Sequence, residues 1–131
     1  RQYNDPIFVI ADEERIQQVI INLIINSLKY GVERGITEVS IEVFDKNKIL
    51  IRISDNGEGI EEEHLPRLFE RFYRVEKTRN RKLGGSGLGL SIVKHIIDAH
   101  NEKIFVESRT GVGSEFSFTL KCVKENGVNE I

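Results

Sequence analysis

Two hydrophobic rhythms alternate along the chain, and the points where one gives way to the other divide it into elements. Residues 7–10 (Ile-Phe-Val-Ile) form a short apolar run after Pro6, long enough for a strand. From about Glu13 to Tyr30 the apolar residues recur at helical spacing. Asp12 is placed as an N-cap, Glu13 and Glu14 fall in the first turn, and Gly31 follows the end. The period then drops to two over 36–44 and 48–54. Val39, Ile41 and Val43 share one face, as do Ile49, Ile51 and Ile53, and the Asp45-Lys46-Asn47 connection predicts a hairpin. A turn follows at Asp55-Asn56-Gly57-Glu58-Gly59, then one or two short helices over 61–73. Residues 74–86 are basic, polar and glycine-rich, and are expected to form a mobile loop. A second long helix over 88–100 carries Leu90, Ile92, Val93, Ile96 and Ile97 on its apolar side. Strands at 103–108 and 114–120, joined by the turn Arg109–Gly113, close a domain spanning 1–121; residues 122–131 read as a frayed polar tail. Hairpins among well-separated helices predict helices stacked on one face of a mixed sheet.

Composition narrows the class. The chain has 131 residues, 39% apolar and 31% charged, which suits one soluble domain with its own core. A net charge of −2 gives no reason to expect a nucleic-acid partner. Cys122 is the only cysteine, which excludes an intrachain disulfide and a cysteine zinc site. No apolar run reaches membrane-spanning length, so direct membrane contact is not expected and the chain is cytoplasmic in character. The start at Arg1, without a methionine, suggests a piece cut from a longer protein.

Candidate chemistry begins on the first helix. At about 100° per residue, Arg15, Gln18, Asn22, Asn26 and Lys29 fall in one stripe. The rest of the surface is so apolar that the helix should be largely buried. A solvated stripe accounts for Arg15 and Gln18. It accounts less well for Asn22 and Asn26, since asparagine is a poor residue inside a helix. An amide oxygen of Asn26 would suit a magnesium ion held mainly by phosphates, and Lys29 would neutralise phosphate charge. Asp55, at a strand end beside glycines, reads by itself as a strand-ending turn; the functional alternative is a carboxylate that accepts a hydrogen bond from a buried base. In Leu68-Phe69-Glu70-Arg71-Phe72-Tyr73-Arg74, Phe69 and Phe72 are assigned mainly to packing, and an arginine of the basic run after them to a phosphate. Finally, Gly84-Gly85-Ser86-Gly87-Leu88-Gly89-Leu90 precedes a helix directly. Bare backbone N–H groups and a helix N-terminus together make an anion cradle.

These segments stand in the order and spacing of the histidine-kinase ATP-binding domain. Its N box resembles Asn22–Tyr30, its G1 box Asp55–Ile60, its F box Leu68–Arg74, its G2 box Gly85–Leu90, and its G3-like turn Gly111–Phe116. The likeness covers about residues 7–121 and is nearest to phosphate-regulon-type sensor kinases. It implies a Bergerat-type two-layer α/β sandwich, with a mixed sheet of about five strands and three helices on one face. It also implies roles. Asn26 coordinates magnesium, Asn22 supports the triphosphate side, Lys29 contacts phosphate, and Tyr30 packs at the base or ribose. Asp55 accepts from the adenine amino group, with Gly57, Gly59 and Ile60 lining the base pocket and Ser114 near the adenine end. Arg74, with Arg71, reaches toward the γ-phosphate. Gly85, Gly87, Leu88 and Gly89 wrap the phosphates, and 74–86 corresponds to the ATP lid.

The implied activity is protein histidine kinase, transferring the γ-phosphoryl group of ATP with Mg2+. Implied partners are a dimerisation domain bearing the acceptor histidine and a response-regulator receiver domain, in a membrane-bound sensor kinase. Gyrase-like members of the wider superfamily place a water-activating glutamate where Asn22 stands, and an amide cannot take a proton at neutral pH. Transfer to a protein nucleophile is therefore expected over hydrolysis. His64, His95 and His100 lack the acceptor setting and read as structural or surface residues, so the chain is not expected to phosphorylate itself. Asn101 replaces a frequent glycine and tolerates the left-handed conformation. Two other readings are an anti-sigma-factor-type serine kinase and a silent nucleotide-binding domain. The F-box-like segment and basic loop favour the histidine kinase over the first, and the intact Asn26, Lys29, Asp55 and glycine loop weigh against the second. A Rossmann site is poorly supported, because a basic loop and not a strand precedes the glycines.

Overall fold

The structure, a computed structural model, describes residues 7–75 and 88–123. In chain order it contains β1 (Phe8–Ile10), α1 (Glu13–Lys29), β2 (Thr37–Asp45), β3 (Lys48–Asp55), a 3-10 helix (Glu62–Arg67), α2 (Gly89–Ala99), β4 (Ile104–Arg109) and β5 (Gly113–Val123). The middle of the sheet is β5. On one side it pairs with β3, from Lys48↔Lys121 to Asp55↔Ser114. On the other it pairs first with β4 and then, past Leu120, with β1. The outer edge beyond β3 is β2.

Two expectations about the sheet change. All four pairings are antiparallel, so the sheet is not mixed. The β2–β3 and β4–β5 neighbours are consecutive strands joined by short turns, which reverse the chain. The last strand also runs on to Val123, because β1 offers Lys121, Cys122 and Val123 backbone partners where the frayed tail was expected to begin.

The core follows from the register. Ile49, Ile51 and Ile53 stand opposite Leu120, Phe118 and Phe116, so six large side chains share one face of the sheet. Against this face pack Ile16, Val19 and Leu23 of α1 with Val93, Ile96 and Ile97 of α2, all buried. Phe69 meets Phe116 edge to face, with centroids 6.2 Å apart.

Helix α1 is less buried than its composition predicts. Ile16, Val19, Leu23 and Ser27 form its inner arc, whereas Ile21, Ile25 and Leu28 are 55%, 52% and 60% exposed. A helix in a two-layer fold touches its neighbours over part of its circumference only. Val39, Ile41 and Val43 are exposed as well, since edge strand β2 lies largely beyond the helical cover. Phe72 is also corrected: it is 61% exposed and makes little packing.

The helix ends are fastened. Asp12 accepts from the Arg15 N–H (3.2 Å), and the Asp12 N–H donates to His100 Nε2 (3.1 Å). His100 Nδ1 in turn lies 2.8 Å from the Ile96 carbonyl. With Nε2 accepting, Nδ1 is the protonated nitrogen, and one neutral imidazole ties the start of α1 to the end of α2. Asn101, just beyond, takes the left-handed conformation (φ 58°) as its residue type allows.

Candidate functional site

The polar stripe of α1 faces a cavity of about 340 Å³ between α1, the 68–75 segment and the start of α2. Gln18, Asn22, Asn26 and Lys29 form one wall. Leu88, Gly89, Leu90 and Ile92 form the wall opposite, and Leu68, Tyr73 and Val75 stand with Tyr30 around them. Asn22 Nδ2 donates to the Gly89 carbonyl at 3.3 Å, so the two walls touch at that point. Space opens beside Gly89, where an added Cβ would meet nothing within 4 Å. Among the described residues no side chain caps the N-terminus of α2, so its first-turn N–H groups face the cavity without a described side-chain partner.

The electrostatics match. Burial first, and then the nearby Arg74 guanidinium, hold the Lys29 ammonium below its ordinary pKa. Lys29 lines the cavity, the exposed Arg74 stands outside its lining between Tyr73 and Val75, and the described lining contains no carboxylate. Such a place favours a multiply charged anion.

Asp55 lies elsewhere. It lines a second hollow, of about 520 Å³, together with Ser54, Leu65, Ser108 and Ser114. Its Oδ1 accepts the N–H of Gly57 (2.9 Å) and of Ser114 (3.3 Å). Both donors converge on one oxygen, and among the described residues none is recorded on Oδ2. The Asp55 turn rests on the end of α1 through Glu58 N–H to the Tyr30 carbonyl (3.1 Å). Tyr30, 5% exposed, therefore stands between the two hollows.

The glycines of this turn face protein. A Cβ on Gly57 would lie 2.4 Å from the Tyr30 carbonyl oxygen, and one on Gly59 2.2 Å from that of Arg109. Gly59 also has φ +79°, a conformation other residues rarely adopt. Their lack of side chains lets three backbone segments interlock, completed by Gly111 N–H to the Glu58 carbonyl (2.8 Å). Ile60 is fully buried, and its N–H donates to Ser108 Oγ (2.7 Å).

The structure thus brings Asn22, Asn26, Lys29, Tyr30, Leu88 and Gly89 to one cavity, with Arg74 beside Lys29. It places Asp55 and Ser114 in the neighbouring hollow, and Gly57, Gly59 and Ile60 in the packing behind it. Arg71 is exposed, its guanidinium 5.3 Å from the Phe72 ring centroid and away from the cavity lining. Gly85, Gly87 and the lid from residue 76 to 86 lie outside the described residues. Sequence reasoning missed Tyr73 as a cavity wall and set Gln18 aside as solvated. The signal for Gln18 was present, since it precedes Asn22 by one turn on the same stripe.

A helical layer that presents two amides and a lysine to one cavity, over a sheet covered on one face, defines the class as a two-layer α/β sandwich with an anion-favouring cavity. Residues 11–124 match the family described as histidine kinase-, DNA gyrase B-, and HSP90-like ATPase, and the chain belongs to it. Among curated relatives, the sensor histidine kinase WalK of Bacillus subtilis is 42% identical over 120 residues, covering 91% of this chain and 20% of that protein. The sensor protein kinase WalK of Staphylococcus aureus is 44% identical over 125 residues, covering 92% and 30%. The chain therefore spans about a fifth to a third of the relatives it matches. Among solved structures, the mycobacterial sensor histidine kinase MprB superposes with TM-score 0.76 at 26% identity, covering 87% of this chain and 76% of that one. The nucleotide-free catalytic domain of histidine kinase ThkA gives 0.71 at 34% identity, with 86% and 70% covered. Full-length ShkA in complex with AMPPNP gives 0.74 at 29% identity, covering 87% of this chain and 23% of that one.

Proposed function

We propose that this domain binds ATP with Mg2+ and presents the γ-phosphoryl group to a histidine on a separate dimerisation domain of the same kinase. The observation that carries the reading is the cavity in which Asn22, Asn26 and Lys29 face the open N-terminus of α2, with Arg74 beside Lys29. A triphosphate suits these groups, and the complex of ShkA with AMPPNP supports the same ligand class.

The donor set fits magnesium. Asn26 supplies one hard oxygen, and no group of three or more His, Cys, Asp or Glu among the described residues could cage an ion unaided. Magnesium takes oxygen ligands, keeps several waters and is commonly held mainly by substrate phosphates, so one amide oxygen from Asn26 would be enough to complete its protein contacts. When bound, the ion supplies charge neutralisation on the transferring group. This chain's own groups orient and neutralise. Lys29 and Arg74 meet phosphate oxygens, backbone N–H groups of α2 hold the anion, and Asn22 braces the Gly89 backbone. Asp55 offers its open oxygen to the adenine amino group. With no carboxylate at the described cavity wall, nothing there activates water, and the phosphoryl group waits for an imidazole, which needs no base to attack.

The parent protein is read as a membrane-bound sensor kinase with this domain on the cytoplasmic side, serving a response-regulator receiver domain. The names of the relatives, sensor histidine kinase and sensor protein kinase, support the sensor-kinase part of that reading. No described helix is long and apolar enough to cross a membrane. The test mixes the domain, labelled ATP and a histidine-bearing dimerisation domain. Acid-labile, alkali-stable phosphate on the acceptor is expected, and none on this chain alone. Label on this chain without an acceptor would overturn the reading.

A further inference from the structure

His64 was read in the sequence as a structural or surface residue, and its side chain is only 19% exposed. Its Nδ1 is hydrogen-bonded to the Tyr73 hydroxyl, across nine residues of chain, with the two rings 5.8 Å apart. His64 Nε2 faces Glu61 at 3.9 Å; in the tautomer protonated there, Nδ1 accepts from the phenol. The other groups around Tyr73 also hold it. Arg67 lies 4.6 Å over its ring, and Glu70 accepts from Arg67 at 3.0 Å and 3.1 Å. The 3-10 helix, which touches no nucleotide in the reading above, thus grips one residue of the cavity wall.

What that grip controls is the turn next to it. Phe72 adopts φ 67°, unusual for a bulky side chain; its exposed ring gives little packing, and one long backbone hydrogen bond, Tyr73 N–H to the Glu70 carbonyl at 3.3 Å, closes the turn. On one side of the turn Tyr73 is tethered to His64, and beyond it Val75 is buried in the core. Arg74, itself exposed, lies between these two fixed points, both of which line the cavity that Lys29 also lines. Release of the tether lets the Phe72 backbone relax, and Arg74 is the residue that would move.

We propose that His64 is a positioning residue: through the Tyr73 hydroxyl it holds the Phe72–Arg74 turn bent, and so keeps Arg74 at the γ-phosphate end of the cavity. The proposal rests on the ATP reading above and assigns one of its cations a mechanical support. It separates the γ-phosphate from the rest of the nucleotide, because Arg74 is the group displaced while the α1 wall stays in place.

The test is calorimetric affinity for AMPPNP and for ADP, both with magnesium, in wild type, Tyr73→Phe, His64→Ala and His64→Gln. Tyr73→Phe keeps the ring and its packing and removes only the tether. It and His64→Ala are expected to weaken AMPPNP by about tenfold while ADP stays within about twofold. His64→Gln, whose amide can still accept the phenol's hydrogen bond, is expected to recover most of the loss. Equal affinities in all four proteins, or equal loss of both nucleotides in Tyr73→Phe, would overturn the proposal. A wild type that binds neither nucleotide would instead remove the ATP reading itself.

Discussion

At the scale of single residues, the proposed site sets neutral amides and a lysine around a phosphate chain, which would itself repel a carboxylate placed there. Asn26→Asp adds a charge beside the proposed metal and changes its geometry. Phosphoryl transfer to a supplied acceptor domain is expected to fall below detection in a radiolabel assay, and unchanged transfer would remove Asn26 from the mechanism. Asp55→Asn replaces a charged acceptor held by two backbone N–H groups. It should weaken adenine nucleotide binding by about 1–3 kcal/mol in calorimetry. Lys29 yields a pH prediction. Burial and Arg74 lower its pKa in the empty fold, so its charged form detracts from stability, and that penalty lifts as pH rises through the lowered value. Bound phosphate favours the charged form and raises the pKa again. Nucleotide should therefore take up a proton when it binds in the alkaline window between the two values, and affinity should fall as pH rises through the lower one. Titrations in alkaline buffers of different ionisation enthalpy would show this uptake. They should not show it for Lys29→Arg, whose side chain stays charged throughout.

At the scale of elements, much of the fold was legible because its segments obey single rules. Alternation at 39–43 and 49–53 predicted the hairpin, and Asp12 and Gly31 bounded α1 to within about two residues. The one-sided burial of α1 was not legible. Ile21 and Ile25 are apolar without being core, and only the location of α2 and the sheet decides which arc is covered. Nor was the His64–Tyr73 contact, since nothing in the intervening residues announces that the chain folds back on itself. The Asn22, Asn26 and Lys29 stripe was legible, because helical spacing alone puts those side chains together. The glycines of the Asp55 turn were legible as glycines but not in their purpose, which is backbone interlock. Gly59→Ala should therefore destabilise the fold by more than about 1 kcal/mol in urea unfolding, through both its φ and the Arg109 carbonyl in the way. A neutral substitution would show that this turn is loose.

At the scale of the whole molecule, one antiparallel sheet with helices on one face separates stability from chemistry. The Phe116, Phe118 and Leu120 row is fully enclosed and none of the three lines the cavity, so it carries the fold. Phe118→Ala should cost about 3–5 kcal/mol of unfolding free energy by urea titration. The polar stripe, by contrast, lies on the open side of the helical layer, where α1 and the start of α2 leave room between them. The account's central claim is that this space takes a metal-bound adenine triphosphate. Calorimetric titration with a non-hydrolysable ATP analogue, with magnesium and then with the metal chelated, tests it most directly. One-to-one binding that weakens by at least about tenfold on chelation is predicted. Absence of binding with magnesium present, or binding indifferent to the metal, would contradict it.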